Sequence, residues 1–391
     1  MLRYFSADYV FPVSSEPVRK GIVILNESGE IIEVLDSNHI HSITGPIEHH
    51  QGIIVPGFIN SHCHLELSHL KGKLPKGTGL VSFVKAVIAE RSMQDEVVLS
   101  AMKAGDDLMF KNGIVAVGDI SNTHLSKGVK QTSKIFYHTF LELLGFDPSK
   151  AEIVFNRAIK LKSDFLPLPV SIVPHAPYSV SEKLFGLLRD YSERHDNLCS
   201  IHNQESRAET DLFMNKTGDF LDFYKSINLP IDFFKSRYLS SVRSILPFLS
   251  SKQKILLVHN TYTTQDDLAQ LFESDKEIVF CFCPNANLYI EGRLPEIHRF
   301  MDYDFKITIG TDSLASNDQL CILSELKTIR QHFPDLCFAD TIRWATIHGA
   351  QFLGIDNQFG SIEKGKSPGL NLIENVKGAE LTKFSTIKKL I

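Results

Sequence analysis

Pro56-Gly57-Phe58-Ile59-Asn60-Ser61-His62-Cys63-His64 governs how the rest of the chain is read. Here an apolar run, 53–61, ends in two histidines two residues apart. Side chains two apart on a strand face the same way, so His62 and His64 present two imidazoles to one point. Seven more runs of this texture follow, at 114–121, 135–143, 169–174, 198–202, 254–259, 278–283 and 307–311, with longer helical patterns between them. Runs apolar on both faces that alternate with helices predict a parallel sheet. Eight such units predict an α/β chain whose sheet closes as a (β/α)8 TIM barrel.

Polar residues gather where the runs end. The fifth ends at His202, the sixth at His259, and the eighth runs into Gly310-Thr311-Asp312. The C-terminal ends of barrel strands are where that fold assembles its active site. Neutral imidazoles with a carboxylate suit one divalent metal, zinc or alternatively iron, with a position left open for water. The expected ligands are His62, His64, His202 and Asp312. A lone His-x-His is a weak signal, as is a single histidine at a strand end. The weight lies in one fold reading that puts every group on one rim.

Glu205 lies three residues past His202, where a carboxylate can take a proton from water and return it to a leaving group. Its other reading is a first-turn carboxylate favoured by the helix dipole. His259 is either a further ligand or the group that orients the water. Asp312 is expected to help deprotonate that water as well as bind metal. Glu66, His175, Asn287 and Tyr289 are candidate substrate contacts. His175 reads equally as a structural histidine between Pro174 and Pro177, and Glu66 as a solvated loop acid.

The two ends of the chain look different from the middle. Short β-branched runs separated by turns, in 1–55 and 360–391, suggest a small β-sandwich built from both termini, leaving 56–359 for the barrel. An insert at 207–250 carries Phe213, Phe220, Phe223, Tyr224, Phe233 and Phe234, and reads as a lid or as helices packed on the barrel. Capping boxes are expected at Ser179-Val180-Ser181-Glu182 and Thr264-Gln265-Asp266-Asp267. Asp340 is expected to cap a helix that runs to Gly354.

The 391 residues are 43% hydrophobic, with 41 Lys+Arg and 46 Asp+Glu, a net charge of −5. That balance argues against nucleic acid as a partner. No run is long enough to span a membrane, and the first twenty residues lack the apolar core of a secretory signal. Six cysteines in such a chain read as reduced thiols in the cytoplasm, with Cys281 and Cys283 as small apolar residues on one strand face. The expected partners are a small-molecule substrate and a second copy of the chain in a homodimer.

Taken together, the motifs resemble the amidohydrolase superfamily. Pro56–His64 looks like its opening strand, Ile201-His202-Asn203-Gln204-Glu205 like the His-x-x-Glu of its deaminases, and Val258-His259 and Gly310-Thr311-Asp312-Ser313 like its later strands. Ala345-Thr346-Ile347-His348-Gly349-Ala350 and Gly360-Ser361-Ile362-Glu363-Lys364-Gly365-Lys366 are similar to its C-terminal signature. The nearest group deaminates cytosine, guanine and adenosine derivatives. The resemblance implies hydrolytic release of ammonia from an aminated heterocycle, such as 6-aminodeoxyfutalosine, S-adenosylhomocysteine or methylthioadenosine. His64-Leu65-Glu66-Leu67-Ser68-His69-Leu70-Lys71-Gly72 looks most like the aminodeoxyfutalosine deaminases. Binuclear relatives bridge their metals through a carboxylated lysine or a glutamate. Glu142 is the nearby acid that keeps a second metal, and hydrolysis of cyclic amides or imino groups, as the alternative.

Overall fold

The computed structural model describes residues 2–36, 38, 43 and 45–391. The chain opens with β1 (Arg3–Val10), β2 (Val18–Arg19), β3 (Ile22–Leu25), β4 (Ile31–Leu35) and β5 (Ile47–Pro56). It ends with β14 (Leu370–Glu374) and β15 (Thr386–Lys389). These strands share one seven-stranded sheet in the order β15-β14-β5-β1-β3-β4, with β2 paired to β1. Phe5, Val23, Ile54, Ile362, Leu370 and Leu372 belong to a core cluster of their own beneath it. Residues 360–362, expected to be strand-like, are not in a strand.

Between the ends lie β6 (Phe58–Cys63), β7 (Ile114–Ser121), β8 (Phe136–Leu143) and β9 (Val170–Pro174). They are followed by β10 (Cys199–Asn203), β11 (Lys254–His259), β12 (Glu277–Phe282) and β13 (Lys306–Ile309). All pairings are parallel, in two sheets ordered β6-β7-β8-β9 and β10-β11-β12-β13. Hydrogen bonds join the sheets on both sides. The His202 amide donates to the His175 carbonyl at 2.9 Å, and the Thr311 and Asp312 amides donate to the His62 carbonyl at 3.0 and 3.1 Å. Cys63 and Asp312 form a parallel bridge.

Strand alternation explains why both faces are buried. Ile255, Leu257, Ile278 and Phe280 pack into one core cluster, whereas Leu256, Val258, Val279 and Cys281 pack into another. The first cluster takes in helix residues such as Leu184, Leu268 and Leu326, and the second takes in Ala350 and Phe352 of helix Ile347–Leu353. Cys283 joins Cys281 in the second cluster, as expected from their spacing.

Three local readings change. The first run divides at Gly57: Ile53–Pro56 belongs to the terminal sheet, and Phe58 begins the parallel set. The helix expected from Asp340 to Gly354 divides into Phe338–Trp344 and Ile347–Leu353, broken at Ala345-Thr346, with Cys337 at the first N-terminus and a left-handed Gly354 at the end. Ser181, rather than Ser179, caps Glu182–Ser192, by accepting from the Leu184 amide; Thr264 and Asp267 do form the expected reciprocal box.

Gly57 sits where the chain passes from one sheet to the other. A β-carbon there would clash with the Val115 side chain and with the Pro368 carbonyl oxygen, 2.5 Å away. Overpacking beside backbone forces a shift, so Gly57→Ala is expected to lose about 1–3 kcal/mol of stability in urea unfolding. An unchanged midpoint would show that this junction is loosely packed.

Candidate metal centre

Four side chains from three separated segments converge. His62 lies in β6, one residue before its end, and His64 follows the strand; His202 lies in β10; Asp312 follows β13. His64 Nε2 lies 3.1 Å from His62 Nε2, 3.2 Å from His202 Nε2 and 3.4 Å from Asp312 Oδ1. All four candidate ligand atoms fall within 4.8 Å of one another. His62, His202 and Asp312 are buried, and His64 is nearly so. The expectation that strand spacing aims His62 and His64 at one point matches this geometry.

Electrostatics leave the His64 and His202 nitrogens as lone-pair donors. Burial pushes His64 down to about 3, and lowers His202 well below the usual histidine range. Burial alone would raise Asp312, but the neighbouring imidazoles of His62, His64 and His259 hold it below the usual carboxylate range. His202 Nδ1 donates to the His175 carbonyl at 2.9 Å, which turns its bare Nε2 toward the cluster. Ser316 donates to Asp312 Oδ2, orienting the other oxygen inward. Three imidazoles and a carboxylate on one point form the donor set of a divalent cation, and zinc fits it.

Beside this cluster, His259 Nε2 lies 3.6 Å from Glu205 Oε1. Burial raises Glu205 well above the usual carboxylate range, and the charges of Asp312 and Glu209 add to that. Glu205 is held by its backbone: Glu209 Oε1 and Oε2 accept the Gln204 and Glu205 amides at 3.0 and 3.1 Å. His259 Nδ1 donates to Asn287 Oδ1 at 2.8 Å, leaving Nε2 free to accept. Gln204, His259 and Asp312 all take positive φ (46°, 74° and 55°). Side chains other than glycine rarely adopt that backbone, and such strain concentrates at functional sites.

A cavity of about 130 Å³ opens over these groups. It is lined by His64, Glu142, His175, His202, Glu205, His259 and Asp312. The other candidate contacts lie elsewhere. The Glu66 carboxylate accepts from the Asn122 amide at 3.0 Å and the Thr123 hydroxyl at 2.9 Å. Asn287 supports His259, and the Tyr289 hydroxyl donates to the Leu74 carbonyl at 2.6 Å. None of these three lines the cavity. His175 does, with Nδ1 2.6 Å from Ser179 Oγ.

Sequence reasoning missed the cavity's apolar wall, the face of helix Leu80–Glu90 that carries Leu80, Phe83, Val84 and Val87. Their 80-83-84-87 spacing was the available signal. It also missed Arg91 and Asn122, which line the same cavity. The 207–250 insert forms helices Arg207–Asn215, Asp219–Ser226 and Ser241–Ile245. Phe213, Phe220, Phe223 and Tyr224 pack there with Leu80, Phe83 and Tyr178.

Donors of this kind at the ends of parallel strands, with a buried carboxylate beside them, form a candidate metal centre of the kind hydrolases use. The chain belongs to the Amidohydrolase family, whose model matches residues 53–389. It is 26% identical over 372 residues to an adenosine deaminase of Helicobacter pylori, covering 90% of each chain. It is also 26% identical to an aminodeoxyfutalosine deaminase of a Nitratiruptor species, covering 85% of this chain and 82% of that one. The fold is shared with the crystal structure of Helicobacter pylori aminofutalosine deaminase in complex with methylthio-coformycin. The TM-score is 0.80 at 24% identity, covering 97% of this chain and 94% of that one.

One buried ion pair holds the backbone next to the ligands. Lys130 Nζ lies 2.7 Å from Asp119 Oδ2 with both side chains fully buried, and Asp119 Oδ1 accepts the Leu65 amide at 2.8 Å. Removing one partner leaves a buried charge unpaired, so Lys130→Met should cost about 3–5 kcal/mol in urea unfolding. Adding Asp119→Asn should recover part of that loss. A neutral Lys130→Met would show that water compensates the carboxylate.

Proposed function

We propose that this protein is a metal-dependent hydrolytic deaminase of a purine nucleoside derivative, with 6-aminodeoxyfutalosine the preferred candidate over S-adenosylhomocysteine and methylthioadenosine. The observation that carries this is the convergence of His62, His64, His202 and Asp312 on one point, with Glu205 and His259 paired beside it. The deaminase names of its relatives support the reaction class. In this reading the two parallel sheets are halves of one (β/α)8 barrel, supported by the hydrogen bonds that join them on both sides. The terminal sheet, with its own apolar cluster, is read as the small β-sandwich. All six cysteines are free, and no described helix is long and apolar enough to cross a membrane; both fit a cytoplasmic enzyme. We carry the homodimer forward as part of the same reading.

A cation held by His62, His64, His202 and Asp312 supplies the Lewis acidity that makes water nucleophilic near neutral pH. Water oxygen adds to the ring carbon bearing the amine. Glu205 accepts the water proton and delivers it to the ring nitrogen. The second proton of that water, released from the added hydroxyl as the ring carbonyl forms, is passed by Glu205 to the amine, so the carbon–nitrogen bond breaks and ammonia leaves. His259, oriented by Asn287, accepts a hydrogen bond that fixes the attacking oxygen. Asp312 shares in the deprotonation, and His175 contacts the substrate from the cavity wall.

One observation favours a second reading. Glu142, His175 and His202 also place ligand atoms within 4.8 Å of one another, and Glu142 Oε1 is buried without a hydrogen bond. A second cation there would favour hydrolysis of a cyclic amide or imino group.

Ammonia release from aminated nucleosides, set against cyclic amides, separates the two. Deamination is expected, lost on chelation and restored by zinc. Glu205→Gln should lower kcat by about 10²–10⁴-fold with metal content unchanged. A fully active Glu205→Gln enzyme would refute this mechanism.

A further inference from the structure

A second cavity, of about 510 Å³, lies between the 207–250 insert and the segments that follow β8 and β9. It shares no lining residue with the cavity over the candidate metal centre. Phe146, Phe213, Phe233, Phe234 and Phe248 line it. Single exposed apolar residues need no explanation, but five rings around one opening do. Its volume falls within the range of small-molecule sites, about 300–1,000 Å³. The rings already meet one another as they would meet an aromatic guest: Phe146 stacks on Tyr224 with centres 5.1 Å apart, and Phe213 meets Phe234 edge-on at 5.4 Å. The charged residues of the wall are Glu182, Lys183, Lys235 and Arg237. Lys183 pairs with Glu152 and Arg237 with Glu182, each at 2.7 Å. Lys235 is exposed and makes no hydrogen bond or ion pair among the described residues. An apolar opening with one unmatched positive charge suits an aromatic anion.

The walls of this cavity reach the metal centre. Phe213 lies on helix Arg207–Asn215, four residues after Glu209, so the two share a helix face. Glu209 is the residue that holds the Gln204 and Glu205 amides. Helix Ser241–Ile245 packs on that helix and contributes Ser244 and Ile245 to the same cavity. On the other side, Tyr224 under Phe146 donates to the Tyr178 carbonyl at 2.6 Å, and Tyr178 lines the metal cavity. We propose that this second cavity is an effector site for an aromatic carboxylate. The rings of the effector stack among the phenylalanines, its carboxylate pairs with Lys235, and its binding steadies helix Arg207–Asn215 and thereby the hold of Glu209 on Glu205. The proposal does not depend on which reaction the metal centre performs.

Calorimetry on the zinc-loaded protein, with biphenyl-4-carboxylate and biphenyl-4-carboxamide as probes, tests it. Both should bind, the carboxylate about two- to fivefold more tightly, the range of a part-exposed ion pair. Lys235→Glu should remove that preference, and Lys235→Arg should keep it. Ser244→Phe, which fills the cavity, should weaken both probes by at least about tenfold. Bound biphenyl-4-carboxylate should slow hydrogen–deuterium exchange at the Gln204 and Glu205 amides by at least about threefold, and should not do so in Ser244→Phe. Binding that survives Ser244→Phe would place the probe elsewhere and overturn the site. Equal binding of the two probes would refute the carboxylate, and unchanged exchange at the two amides would refute the effector role. A protein that binds neither probe also overturns the proposal; if Ser244→Phe then converts a dimer to monomers in sedimentation, the occupant is a second copy of the chain.

Discussion

Three imidazole nitrogens and a carboxylate oxygen crowd within 4.8 Å of one another in a buried site, and the rest of the structure is arranged to keep them there. Burial works against protonating His64 and His202, so their facing ring nitrogens have no proton to share. Such a cluster is unfavourable by itself and becomes favourable when a divalent cation replaces the missing protons. The fold supplies the holding force. Each of the four side chains is fixed at or just beyond a strand end whose neighbours are packed on both faces, and the hydrogen bonds joining the two parallel sheets run through His62, His175, His202, Thr311 and Asp312 themselves.

A second layer orients what the strands position. Asp119, paired with Lys130, ties down the Leu65 amide next to His64. Glu209 grips the amides of Gln204 and Glu205, Asn287 sets the ring of His259, and Ser316 turns Asp312. Each contact satisfies a polar group that burial would otherwise leave costly. The positive φ angles at Gln204, His259 and Asp312 show where the chain bends to bring these side chains inward.

The parts of this legible in the sequence share one cause: short-range periodicity. Alternation on a strand aims His62 and His64 together, and apolar runs mark the eight parallel strands. The same rule fails where periodicity carries no information. Pro56-Gly57 is a breaker inside the first run, but that the chain changes sheets there follows from the approach of Val115 and Pro368, distant in sequence. Glu66, expected at the substrate because it lies two residues past His64, has its carboxylate taken by Asn122 and Thr123, and the polar atoms of Asn287 and Tyr289 are used by His259 and Leu74. The wall formed by Leu80–Glu90 had a readable helical spacing, but which surface it would face depended on the tertiary fold.

The central claim is a position in space, so anomalous X-ray scattering from crystals of the zinc-loaded protein tests it most directly. The account predicts one ion about 2.0–2.2 Å from a nitrogen of each of His62, His64 and His202 and from an oxygen of Asp312. An ion bound elsewhere, or coordination that leaves out any of these four, would contradict it.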